Sequence, residues 1–174
     1  MQTLIEALPK IRWEYRDAKL LICGGGYRDH LINLAKSIGM ESQVYFTGFV
    51  SDDDLMKIYR VADVACFPSL YEPFGIVALE GLASHTPVVT SDAGGLPEIV
   101  EHGVTGTTTY AGNPNSLADG IVSVLKNPQK AHRMADIGYE RVLSVFNWER
   151  IASQTTETYQ RVWDEYTHSS FNTW

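Results

Sequence analysis

Two carboxylates in one short run, Glu72 and Glu80, are the residues of this 174-residue chain best placed to do chemistry. They bracket Glu72-Pro73-Phe74-Gly75-Ile76-Val77-Ala78-Leu79-Glu80. Pro73 suits the first turn of a helix, and Gly75 leaves the amides of that turn uncovered. Such a start attracts anions, because its first N–H groups lack intrahelical acceptors and the helix dipole is positive there. Glu80 is the only ionisable residue from Phe74 through Ser84, in a stretch apolar on nearly every face, which reads as a buried helix. A carboxylate buried there needs donors, since leaving it unpaired is costly. A vicinal diol, as on a ribose, supplies a pair of them. The plainer alternative makes Glu80 a surface residue on a thin polar stripe and Glu72 an ordinary helix-end carboxylate. Residue chemistry alone leaves both open.

The elements around this run alternate. Short, nearly continuous apolar segments predict strands at 19–23, 44–47, 64–67, 87–90 and 106–110. Between them, Leu4, Leu8 and Ile11 mark one helical face, and Leu31, Leu34, Ala35 and Ile38 another, ended by Gly39. Ser51 opens a helix with Asp52, Asp53 and Asp54 in its first turn. Further helices are expected over 74–83 and 96–100. Three more follow, capped by Asn113, Asn127 and Asn147. Strands separated by helices imply an α/β class: a Rossmann-like parallel sheet with helices on both faces. The expected organisation is one domain over 1–166 and a disordered tail over 167–174.

In open parallel sheets ligands bind at the carboxyl ends of the strands. The loops there hold Gly24-Gly25-Gly26, Thr47-Gly48-Phe49, the run from Pro68 to Gly75, and the run from Ser91 to Glu98. Glycines in such loops let a backbone approach a ligand closely.

Composition closes off other classes. Hydrophobic residues make up 44%, enough for a core, and the net charge of -7 comes without a basic run. That argues against nucleic acid as a partner. The two cysteines, Cys23 and Cys66, each end an apolar run and read as reduced core thiols. No residues stand at metal-ligand spacing near them, so no metal or cofactor is expected. No signal peptide or membrane span is evident, so a cytoplasmic location is expected. Gly24-Gly25-Gly26 does not extend to a dinucleotide fingerprint, because Asp29 stands where the last glycine belongs. Neither a P-loop nor a Gly-x-Ser-x-Gly elbow is present.

The run from Glu72 to Glu80 resembles the Glu-x7-Glu motif of retaining glycosyltransferases with the two-domain GT-B fold, particularly family 4 (glycosyl transferases group 1). The resemblance continues through Pro87-Val88-Val89, Ser91, Gly94-Gly95-Leu96-Pro97-Glu98-Ile99-Val100 and Gly103-Val104-Thr105-Gly106. It covers nearly the whole chain, from Leu4-Ile5-Glu6-Ala7-Leu8 to near Trp163. It implies the C-terminal, donor-binding domain of such an enzyme, with a nucleotide-sugar as substrate and transfer of a hexosyl group with retention to a saccharide or lipid. By the resemblance Glu80 would hold the ribose hydroxyls. Glu72, the candidate catalytic residue, would touch hydroxyls of the donor sugar. Amides of Phe74, Gly75 and Ile76 would meet sugar and diphosphate, and Gly48, Phe49 and Val50 the base. From its place beside Glu72, Tyr71 reads either as packing on the sugar or as a core or hinge residue, and the loop glycines Gly24 and Gly25 are further candidates for the donor site.

Two departures accompany it. His85 stands where the family has a small residue, and reads as a loop residue partly over the site. The family's diphosphate-neutralising Arg and Lys, and the strand before them, would lie upstream of Gln2. The acceptor-binding N-terminal domain would also be a separate half, and any peripheral membrane contact would come through it. In the usual strand order the absent strand falls between those at 19–23 and 64–67, so a gap is expected there. Two other readings remain: a sugar-nucleotide epimerase of the same architecture, and a non-catalytic module that binds a nucleotide-sugar or a partner. These 174 residues alone are expected to be inactive in transfer.

Overall fold

The computed structural model describes residues 1–169. The chain forms two compact units, Met1–Tyr139 and a second from Glu140 onward. The first unit carries α1 (Gln2–Glu14), β1 (Leu20–Cys23), α2 (Asp29–Ser37), a 3-10 turn (Glu41–Gln43), β2 (Val44–Gly48) and α3 (Asp52–Val61). It continues with β3 (Ala65–Phe67), α4 (Ile76–Ala83), β4 (Val88–Ser91), α5 (Leu96–Ile99), β5 (Thr107–Thr109) and α6 (Pro114–Lys126). The unit boundary falls within α7 (Pro128–Val145), and α8 (Trp148–His168) follows. The expected single domain over 1–166 is thus divided, and α8 contributes no buried residue to a core. Thr167 and His168 belong to α8 rather than to a tail, and 170–174 lie outside the described residues.

Every strand expected from the apolar runs is present, and all pair in parallel. The strands form two sheets, β1-β2 and β3-β4-β5. Leu20 aligns with Val44 in the first, and Val89 with both Cys66 and Thr107 in the second. The break between β1 and β3 falls where the doubly wound order expects a gap.

Helices cover both faces of the larger sheet, as the alternation along β4 shows. Val89 faces a cluster containing Leu4 and Ile11 of α1 with Leu117 and Ile121 of α6. Its neighbour Val88 faces the other way, toward Gly81 of α4, where an added Cβ would stand 3.0 Å from the Val88 side chain. The β1-β2 sheet packs on Ile5 and Leu8 of α1 and on Leu31 and Ala35 of α2. One helix, α1, therefore spans both sheets. The larger sheet is buried on both sides, which explains why β4 reads as a continuous apolar run, whereas Leu21 of β1 and Tyr45 of β2 are exposed on the open face of the smaller sheet.

Local signals place the helix ends. Ser51 caps α3 by accepting from the Asp54 N–H, Asn113 caps α6 through Ser116, and Asn147 caps α8 through Arg150. Gly39, at φ +70°, ends α2, and the next N–H, of Met40, reaches back to the Ala35 carbonyl. Asn127, expected to cap α7, sends its side-chain N–H back to the Ser123 carbonyl of α6 at 3.0 Å.

Candidate functional site

The segment between β3 and α4 carries Glu72 at the carboxyl end of the sheet. The expected helix from Phe74 begins at Ile76 instead. Gly75 is its N-cap, in the left-handed region at φ +104°, which breaks the helical conformation at that residue. Pro73 and Phe74 therefore precede the helix rather than open it. A Cβ at Gly75 would stand 2.9 Å from Leu96 and 3.1 Å from Ile99. Conformation and space both demand glycine here. No side chain caps α4, so its first amides depend on other acceptors.

Nor is α4 buried all round. Ala78, Gly81 and Leu82 form its inner face, while Ile76 in the first turn is 61% exposed. The first turn stands at the open rim of the sheet, beyond the strand that its inner face packs against. An uncapped, solvent-facing start is what an anion-binding turn needs.

Glu72 is held by its neighbours at both ends. The Ser69 hydroxyl donates to its Oε2 at 3.2 Å, and the Ser91 hydroxyl donates to the Ser69 carbonyl at 2.6 Å. The Gly95 N–H donates to the Glu72 carbonyl at 2.9 Å. A Cβ at Gly94 would collide with that same carbonyl oxygen, and one at Gly95 would stand 2.8 Å from the Pro73 carbonyl. The Gly94-Gly95 pair thus serves close backbone approach between two loops.

Glu80 is half-buried on α4. Its side-chain partner is Tyr59 of α3, whose hydroxyl donates to Oε2 at 3.4 Å. Burial first, and the charge of Glu80 second, hold the Tyr59 phenol above the usual tyrosine range. Cys23 adds to the shift, placing this pair within electrostatic reach of the end of β1. Sequence pattern did not single out Tyr59. The signal available was a phenol on the inner face of α3, since a buried Tyr hydroxyl needs a partner.

The loops after β1 and β2 meet: the Gly24 N–H donates to the Gly48 carbonyl at 2.9 Å, with both glycines at positive φ. Arg28, just beyond, brings a guanidinium nitrogen to 3.8 Å from the position of a Cβ on Gly48. Gly25 is exposed and Val50 half-buried. Phe49 is 87% exposed, Tyr71 83% and Phe74 50%, all on loops at the carboxyl ends of parallel strands. Large apolar side chains left in water at one rim mark a surface built to be covered. The structure thus joins Gly24 to Gly48, Glu72 to the Gly75 turn, and Glu80 to Tyr59. Among the described residues no hydrogen bond links Glu72 to Glu80.

His85 is not over this rim. It lies between α4 and β4, at the amino end of the strands, because a strand follows it. Its Nδ1 is 3.0 Å from Asp136 Oδ1, and its ring stacks on Tyr139 at 3.9 Å. Cys66 is an inert core thiol, pushed up to about 12 by burial. Among the described residues no helix is long and apolar enough to cross a membrane.

A family model described as Glycosyl transferases group 1 matches residues 1–141. An uncharacterized glycosyltransferase of Methanocaldococcus jannaschii is 44% identical over 161 residues, covering 92% of this chain and 41% of that protein. A glycogen synthase of Mycobacterium tuberculosis is 38% identical, over 89% of this chain and 38% of that protein. Among solved structures, Anabaena HepE in complex with UDP superposes with a TM-score of 0.84 at 28% identity. That match covers 92% of this chain and 45% of HepE. Sucrose-phosphate synthase from Thermosynechococcus elongatus gives 0.82 at 33%, over 94% of this chain and 43% of that one. The chain thus spans less than half the length of these relatives. Its fold is that of the C-terminal, Rossmann-like domain of GT-B glycosyltransferases. With the match running through every strand, through the loop that holds Glu72 and through the helix that holds Glu80, the chain belongs to the glycosyl transferases group 1 family.

Proposed function

We propose that this chain is the donor-binding half of a retaining glycosyltransferase, and that it takes a nucleoside diphosphate sugar at the rim formed by the loops after β1, β2 and β3. The observation that carries the reading is the α4 start. An uncapped, exposed first turn begins just after Glu72, and a half-buried carboxylate, Glu80, stands one turn further along. The diphosphate fits the positive end of α4, the ribose diol fits Glu80, and the sugar fits Glu72. The exposed Phe49 lies in the loop assigned to the base. Solved relatives in complex with UDP and with UDP-glucose support the same class of ligand.

Glycosyl transfer passes through an oxocarbenium-like state as the nucleoside diphosphate departs. Amides aimed at the leaving oxygens answer the charge that develops there. Glu72 orients the sugar, its carboxylate steadied by Ser69. The reading calls for no metal. The acceptor, a saccharide or lipid, belongs to a part of the protein outside this chain.

Calorimetric titration of a panel of nucleotide-sugars and free nucleoside diphosphates tests this. Binding of at least one nucleotide-sugar, unchanged by a chelator, is expected. An interaction module without a donor site binds none, and that result overturns the proposal.

A further inference from the structure

We propose that Tyr59 is the positioning residue of Glu80, fixing one carboxylate oxygen so that the other faces the ligand diol. The inference rests on the donor-site reading above and deepens it. The Tyr59 hydroxyl donates to Oε2 of Glu80 across 3.4 Å, which leaves Oε1 to accept from outside. Twenty-one positions separate the two residues, so only the packing of α3 beside α4 brings them together.

Tyr59 is itself firmly placed. Its side chain is buried, and its ring meets Phe67 of β3 edge-on, with centroids 6.3 Å apart. The Thr86 hydroxyl donates to its backbone carbonyl at 2.7 Å, tying α3 to the residues entering β4. A buried phenol with one carboxylate within reach has a single direction in which to donate. The Glu80 side chain, with its three rotatable bonds, is thereby held at its far end. Side-chain freedom of that kind is lost before ligand binding rather than during it, which raises affinity for whatever the carboxylate grips. The contact is long for an O–H···O bond and has room to tighten when a ligand closes over it.

The test uses the full chain with uridine, guanosine and adenosine diphosphates, each compared by calorimetry with its 2′,3′-dideoxy counterpart. The wild-type chain is expected to prefer the ribose form of at least one. Tyr59→Phe keeps the ring and its packing on Phe67, and should shrink that preference by about three- to tenfold, with the dideoxy form bound as before. If the preference is unchanged in Tyr59→Phe, Tyr59 is a packing residue, and this inference falls while the donor-site reading stands. If the wild-type chain distinguishes none of the pairs, both fall. Should Tyr59→Phe fail to fold, the carbon-13 resonance of the Tyr59 ring gives a second measurement. Its titration should move toward that of an ordinary tyrosine in Glu80→Gln, and an unmoved resonance overturns the contact.

Discussion

The Gly95 N–H donates to the Glu72 carbonyl at 2.9 Å, so the loop after β4 closes the loop that presents a candidate carboxylate. Gly94 sits at φ +54°, with its missing Cβ aimed at the same oxygen. Gly94→Ala must therefore push the Glu72 backbone away while adopting a disfavoured conformation. Overpacking against a backbone atom costs on the order of 1–3 kcal/mol. Loss of stability in denaturant titration is expected, together with weaker binding of nucleotide-sugar. A variant as stable as wild type would mean that the two loops are not in register as described.

The carboxylates should separate by ligand. Glu80→Gln keeps the shape and replaces an acceptor with a donor, so binding to free nucleoside diphosphate and to nucleotide-sugar should both weaken by about 1–3 kcal/mol. Glu72→Gln should weaken only the sugar-bearing ligand. Calorimetry with matched ligands reads the difference. Should both variants change folding stability alone, the carboxylates would be structural.

Much of the fold and site is legible in the sequence, and the reasons differ by element. Val88-Val89 reads as a strand because both faces of its sheet are covered, and Leu20-Leu21-Ile22 reads as one by its apolar run although Leu21 is exposed. Glu80 stood out as a lone charge in an apolar run. The apolar pattern carries the start of α4 back to Phe74, whereas the boundary is set by the left-handed φ of Gly75 and the side chains of Leu96 and Ile99 beneath it. Tyr59 does not stand out in the sequence because its meaning depends on Glu80, across a helix-to-helix contact that no local spacing encodes. His85 differs from its sequence-based expectation for a related reason. Its neighbours in sequence are site segments, but it lies at the opposite end of the strands.

Ser51 and Asp54 cap α3 reciprocally. The Asp54 N–H donates to the Ser51 hydroxyl oxygen, and that hydroxyl donates to Asp54 Oδ2 at 2.9 Å. Ser51→Ala should lower unfolding stability by about 1 kcal/mol. A hydrogen bond from Lys57, ahead of that from Ser51, holds the Asp54 carboxyl below its ordinary value of 3.8. A depressed carboxyl contributes stability that is present above the unfolded value and lost as pH falls through the folded one. The difference between wild type and Asp54→Asn should therefore be present at neutral pH and fade in acid, below the ordinary carboxylate range. Thermal melts at several pH values check it, and a difference that persists in acid would place its origin elsewhere.

Residues 1–174, assayed alone, should bind donor weakly and transfer no sugar. Departure of a nucleoside diphosphate concentrates negative charge, and the amides opening α4 answer only part of it. Near the linked Gly24 and Gly48 loops, Arg28 is the cation the structure offers, and it is anchored there by no ion pair among the described residues. Losing a major electrostatic contributor lowers turnover by roughly 10²–10³-fold. Losing acceptor positioning removes the proximity advantage as well. The match to less than half of each relative agrees with a share of the machinery residing elsewhere. A radiolabelled donor-transfer assay decides the matter, run on this chain and on a version extended upstream. The extension should tighten donor binding, and turnover should require the partner half as well. Robust transfer by the unextended chain would mean that these 174 residues hold a complete catalytic site.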